Sequence, residues 1–183
     1  MRLATIFIIS VWLFFCSIGC FSDAEARWGQ GGQGGSQIGY LKWNSYRYDA
    51  SYEVTGNSLK WEIFADSRYS ANAIYKHVNW MASVLKRGGV PRAWDKFFVI
   101  DAAMSPYYST ATMIMDKRVY VLKEAQNDCA MTIIKTHAKV LEDEFFQGNT
   151  RVDHSDIADD IIASEECSPY RTYLEEFVEA HGK

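Results

Sequence analysis

The stretch from Asn127 to Gln147, NDCAMTIIKTHAKVLEDEFFQ, constrains this chain more than any other. At a helical 100° per residue, Ala130, Ile133, Ile134, Val140, Leu141 and Phe145 share one face. Lys135, Lys139, Glu142 and Asp143 take the other side. The pattern predicts a long amphipathic helix docked on a core. Two polar residues, His137 and Glu144, interrupt the middle of the apolar face. Burying an imidazole and a carboxylate is costly unless each finds a partner. The rest of the fold must deliver those partners, so His137 and Glu144 are the first candidate functional residues.

The 183 residues suffice for one domain, and an apolar share of 48% suits a packed core. The net charge of −4 conceals an asymmetry. Residues 27–141 hold 15 Lys and Arg against 9 Asp and Glu, whereas residues 142–183 hold 3 against 12. The C-terminal part is therefore an acidic face or cap, and a nucleic-acid partner is not expected.

Met1-Arg2, the apolar run Leu3–Phe21 and Ala24-Glu25-Ala26 have the layout of a secretory signal. Cleavage after Ala26 would make Arg27 the new N-terminus. Ile18-Gly19-Cys20 also resembles the end of a bacterial lipobox, with Cys20 as the lipidated residue and Ser17 where that motif usually has Leu. The apolar run is also long enough for an uncleaved anchor. Each version puts the rest of the chain outside the cytoplasm, periplasmic or secreted, with membrane contact only through the signal or a lipid on Cys20. The body retains two cysteines, Cys129 and Cys167, and in an oxidising compartment such a pair is expected to form a disulfide. A free, nucleophilic Cys129 is the competing reading.

Residues 27–39 form a Gly/Gln-rich linker. Gly29-x-Gly31-x-x-Gly34 within it matches a dinucleotide fingerprint only formally, having no strand before it and no helix after it. Tyr40 to Phe64 is rich in β-formers, with Gly56-Asn57 as a turn. Its aromatics read as core pairs, or alternatively as a sugar-stacking surface. Ser70 is the expected N-cap of a helix to Arg87, stopped by Gly88-Gly89, with His77 a satisfied boundary residue. Phe97–Asp101, FFVID, reads as a short buried strand. Ala111–Met115 and Val119–Leu122 flank Asp116-Lys117-Arg118 as a hairpin whose arms are apolar on both faces, which predicts helices covering it. Ser155 is expected to cap a helix to Glu166 with Ile157, Ala158, Ile161 and Ile162 inward and His154 on the same side. Ser168 and Pro169 open a last helix that turns Tyr170, Tyr173, Leu174, Phe177 and Val178 inward.

There is no P-loop, G-x-S-x-G elbow, C-x-x-C pair or N-x-S/T acceptor, and two body cysteines exclude a cysteine-based four-ligand zinc site. One order of elements does have a parallel. A helix ending in Gly-Gly-Val-Pro leads to FFVID, then to the hairpin TATMIMDKRVYVL, a long helix with a central His, and a helix holding DIADD. Over about residues 71–166 this resembles the layout of gluzincin-type zinc metallopeptidases. The resemblance implies an acidic ligand near Ala158-Asp159 and a related scaffold. The H-E-x-x-H motif is absent: with His137 first, Ala138 and Leu141 fill the other positions, and with His137 second, Ile133 fills the first. The residual metal candidates are His137, Glu144 and His154. His137 and Glu144 lie seven residues apart, about 10.5 Å along a helix, which strains a shared ion.

The expectation is a single α+β domain over residues 40–183, a small mainly antiparallel sheet with about four helices packed on it. The leading functional expectation is an exported, non-catalytic binding or interaction domain for a protein or envelope component, with no cofactor. The alternative is a degenerate or atypical metal-dependent hydrolase using His137 with Glu144 and His154, in which zinc would be the metal.

Overall fold

The computed structural model describes residues 48–146 and 154–182, with the backbone alone at 145–146. The predicted signal and linker lie outside the described residues, as does the β-reading of residues 40–47.

Two antiparallel hairpins make the sheet. Strands β1 (Tyr48–Thr55) and β2 (Ser58–Ala65) flank Gly56-Asn57; β3 (Tyr108–Met115) and β4 (Arg118–Ala125) flank Asp116-Lys117. Both turns use a left-handed residue, Gly56 at φ +58° and Asp116 at φ +54°. A short polar side chain tolerates that region better than most. β2 pairs with β4, so the order is β1-β2-β4-β3 and β1 and β3 are the edges. Asn57 joins the hairpins, its side chain donating to the Ala125 carbonyl at 2.8 Å while its own carbonyl accepts from Ala125 N at 2.9 Å.

Alternation sorts the two faces. Leu59, Trp61, Ile63 and Ala65 of β2, and Val119, Val121, Lys123 and Ala125 of β4, are all buried beneath helices. Phe64, Met113, Met115 and Leu122 of the opposite face are exposed. Helices thus cover one face of the β3–β4 hairpin, not both as its apolar arms suggest.

Helix α1 (Arg68–Lys86) is capped by Ser67, whose hydroxyl accepts from Ser70 N at 3.1 Å. The cap lies three residues before the expected Ser70, which is buried inside the first turn and donates to Asp66 at 2.8 Å. The helix stops as expected: Gly88 takes φ +77°, and a Cβ on Gly89 would meet Val84 Cγ1 at 2.6 Å.

Helix α2 (Lys96–Met104) corrects the FFVID strand. Every residue from Phe97 to Met104 is buried, Asp101 included, so this segment is covered all round and carries no 3.6-residue stripe. An apolar run of this length cannot be told from a buried strand by periodicity. The deciding local feature is Asp95, whose carboxylate accepts from Phe97 N at 3.1 Å as the N-cap.

Helix α3 (Asp128–Leu141) is the organising helix, capped by Asn127 through Ala130 N at 2.8 Å. Its α-geometry ends at Leu141, and a π-helical turn, Glu142–Phe146, carries Glu144. Helix α4 (Ser155–Ala163) has His154 at its N-cap position in place of Ser155, and Ile157 on it is 38% exposed, not inward. Pro169 opens a 3-10 turn, Ser168–Tyr170, which leads into helix α5 (Arg171–His181). On α5 only Leu174 is fully buried, so the inward face is narrower than its stripe suggests. The Cys129–Cys167 disulfide joins the start of α3 to the approach to α5. Closing a loop with a separation of 38 residues stabilises by about 4 kcal/mol in the chain-entropy picture. No described helix is long and apolar enough to cross a membrane.

Candidate functional site

His137 and Glu144 enter two separate polar networks, and the Phe97 and Phe98 rings pack against the histidine of each. The first lies between α2, α3 and β4. His137 Nδ1 is 3.1 Å from Asp101 Oδ2, and Tyr108 donates to Asp101 Oδ1 at 2.8 Å. Lys123 Nζ lies 3.5 Å from His137 Nδ1 and 4.8 Å from the centre of the Tyr108 ring. Trp61, Phe97 and Phe98 present edges or faces to the imidazole at centroid distances of 6.2, 6.1 and 5.5 Å.

Burial alone would raise the Asp101 pKa, but His137, Lys123 and the hydrogen bonds to His137 and Tyr108 together bring it down to about 2. Burial, with Lys123 adding to it and Asp101 opposing, pushes His137 below its ordinary value. The ring is therefore neutral near pH 7, and its Nδ1–H donates to Asp101. Burial also lowers Lys123, with Asp101 opposing. Burial and Asp101 raise Tyr108 well above 10. The outcome is a buried carboxylate that accepts from a neutral imidazole and a phenol, with the Lys123 amine beside the imidazole.

The second network lies where the loop before α2, the π-helical turn and the start of α4 meet. Arg92 donates to both oxygens of Glu144, Nη1 to Oε2 at 2.7 Å and Nη2 to Oε1 at 3.1 Å. Arg92 Nη2 also donates to Asp95 Oδ2 at 2.9 Å. The same oxygen lies 2.9 Å from His154 Nδ1. The guanidinium stacks over Phe98 at 4.0 Å and Trp94 at 4.6 Å. This two-pronged geometry is what arginine offers a carboxylate and lysine does not. Arg92 Nε is buried and has no hydrogen-bond partner among the described residues.

Glu144 and His154 thus converge as the metal reading requires, with His154 Nε2 3.9 Å from Glu144 Oε1. His137 is directed elsewhere, into the network of Asp101 and Lys123. Among the described residues no group of three or more His, Cys, Asp or Glu is placed to hold a metal ion. Both Glu144 oxygens already accept from Arg92, so an incoming cation would compete with a guanidinium. The two residues border a groove of about 450 Å³, lined also by Thr136, Lys139, Val140, Asp143 and Ile157. The DIADD stretch that carries the metallopeptidase resemblance lies on α4, where Asp159 pairs with Lys96 at the surface.

Cys129 is fully buried and oxidised, which removes it as a nucleophile. His77 is half-buried against Trp80, and its Nδ1 has no hydrogen-bond partner among the described residues. It is therefore not the satisfied boundary histidine expected. Burial lowers its pKa to about 4.

Sequence reasoning missed Arg92, Asp95, Asp101, Lys123 and Tyr108. Two had a readable signal. Lys123 occupies an inward parity in β4, after Val119 and Val121. Asp95 directly precedes an apolar run, where a helix N-cap belongs. No protein-family model, characterised protein or solved structure matches this chain.

Proposed function

We propose that this chain is an exported, non-catalytic binding domain, and that the open face of its sheet meets a partner protein of the envelope or secreted space. The observation that carries the reading is the uncovered apolar half of that face. Phe64, Met113, Met115 and Leu122 are 45%, 52%, 57% and 37% exposed, and the register sets them on neighbouring rows. Arg118, between Phe64 and Met115 in one row, lies over the Phe64 ring at 5.6 Å and pairs with Glu62 at 2.7 Å, so charge is interleaved with the apolar side chains. Large exposed apolar side chains grouped on one face mark binding surfaces, and methionine adapts to a partner's shape. The non-catalytic part is supported by the two networks, in which His137, Glu144 and His154 are bound to other side chains. Export is supported by the signal-like N-terminus and is compatible with the disulfide.

A photo-crosslinking residue at position 122, in protein expressed with its own N-terminus, tests this. The expected result is a specific adduct with another exported protein and none from the same probe at Asp160, with the recovered chain beginning at Arg27. Absence of any position-122 adduct refutes the binding face. Hydrolase activity lost in both His154→Ala and Glu144→Gln variants that still fold would replace the reading with the metal-dependent one.

A further inference from the structure

β3 is an edge strand, and its free side can be read from the register. Tyr107 accepts from Gln126 N at 2.9 Å, and the β3–β4 partners continue as Tyr108↔Ala125 through Met115↔Arg118. In an antiparallel ladder, hydrogen-bonded and non-hydrogen-bonded pairs alternate. Ser109, Ala111, Met113 and Met115 therefore exchange bonds with β4. The N–H and C=O groups of Thr110, Thr112 and Ile114 point away from it. These three residues are half-buried, and the Thr112 hydroxyl donates to Asn79 Oδ1 of α1 at 2.9 Å.

The two edges of the sheet differ in how they discourage pairing. β1, YDASYEVT, carries Asp49 and Glu53. β3, YSTATMIM, has no charge and no proline over its full length, and its register shows no bulge. An uncharged, regular edge lacks the devices by which proteins keep strands apart.

We propose that β3 pairs antiparallel with β3 of a second copy across a two-fold axis at Thr112, joining two sheets into one continuous sheet. That register uses every free group: Thr112 meets Thr112 of the other copy, and Thr110 meets Ile114. On the open face it sets Met113 opposite Ala111 and Met115 opposite Ser109, each large side chain against a small one. These non-hydrogen-bonded positions are the closer ones in the ladder, at about 4.5 Å between Cα atoms. The corresponding two-fold pairing of β1 would set Asp49 opposite Glu53, two like charges, which is unfavourable. The pattern of charge thus selects β3 for a second copy and rejects β1.

The test uses the mature, disulfide-intact chain. Sedimentation over about a hundredfold range of concentration is expected to show a reversible dimer. In Thr112→Pro the substituted N–H is one that β4 does not use, so the subunit keeps its internal ladder while the dimer weakens at least about tenfold. Thr112→Cys should form a symmetric intermolecular disulfide under mild oxidation, because hydrogen-bonded partners lie about 5.5 Å apart, within disulfide reach. Ser51→Cys on β1 should not. A parent chain that stays monomeric throughout, a Thr112→Pro dimer of unchanged affinity, or equal crosslinking at positions 51 and 112 overturns the proposal. If Thr112→Pro fails to fold, the two cysteine variants decide it.

Discussion

Replacing Asp101 by Asn keeps the shape of the side chain and removes its charge. Lys123 would then remain beside His137 and Tyr108, buried, without the negative charge that favours its ammonium form. Breaking a buried pair by removing one partner typically costs about 3–5 kcal/mol. Here the cost also has a ceiling, because the ammonium can escape by losing its proton. At pH 7, neutralising a lysine whose ordinary value is 10.5 costs about 5 kcal/mol, and at pH 9 about 2 kcal/mol. Because burial already lowers the Lys123 value in the parent, the expected loss is below about 5 kcal/mol at pH 7 and shrinks to below about 2 kcal/mol at pH 9. Urea unfolding of parent and variant at both pH values measures it. The double variant Asp101→Asn with Lys123→Met should recover most of the loss, since no charge is then left buried. A loss below about 1 kcal/mol that does not vary with pH, or a double variant no better than the single, would refute the assignment of Lys123 as the partner of Asp101.

Glu144→Ala would leave Arg92 Nη1 without its acceptor, with Asp95 still holding Nη2, and is expected to cost about 1–3 kcal/mol, whereas Lys139→Ala on the outer face should change stability by less than about 0.5 kcal/mol. Thermal melts of both variants, with and without chelator, check this, and a chelator-sensitive parent would contradict a purely structural Glu144. His77 makes stability fall on the acid side. Its folded pKa of about 4 lies below the ordinary 6.5, so the unfolded chain takes up a proton first, and stability declines as pH drops from 6.5 towards 4. At pH 5 the loss relative to pH 7 is on the order of 2 kcal/mol from this group. In His77→Leu that part of the pH dependence should vanish from the urea midpoints.

What could be read ahead of the structure was whatever local chemistry decides. Gly56-Asn57 sits at a hairpin turn, and so does Asp116-Lys117 of the expected Asp116-Lys117-Arg118, with Arg118 opening β4; each turn takes one residue at φ above zero, Gly56 and Asp116. Cys129 and Cys167, the two body cysteines, pair. Phe97–Met104 was not legible because a helix buried on every side has no stripe to betray its period. The two interruptions of the α3 face were visible, but their partners were not. Arg92 and Glu144 are 52 residues apart, and Asp95 and His154 are 59 apart. Only the fold brings them together. The seven-residue spacing of His137 and Glu144 already sets a shared ion under strain, and the fold sends His137 to Asp101 while Glu144 and His154 meet at Arg92 and Asp95.

The bridge between Cys129 and Cys167 turns the middle of the chain into a covalent ring. A single backbone cut anywhere in residues 130–166 opens the ring without releasing a piece. α5 would stay attached to the start of α3 through sulfur, and the cut ends would remain neighbours able to re-engage. A protein nicked there would run as one particle until a reductant separates it into two. Against a protease that cuts in that span, survival would then be set by the redox state of the surroundings as much as by the stability of the fold.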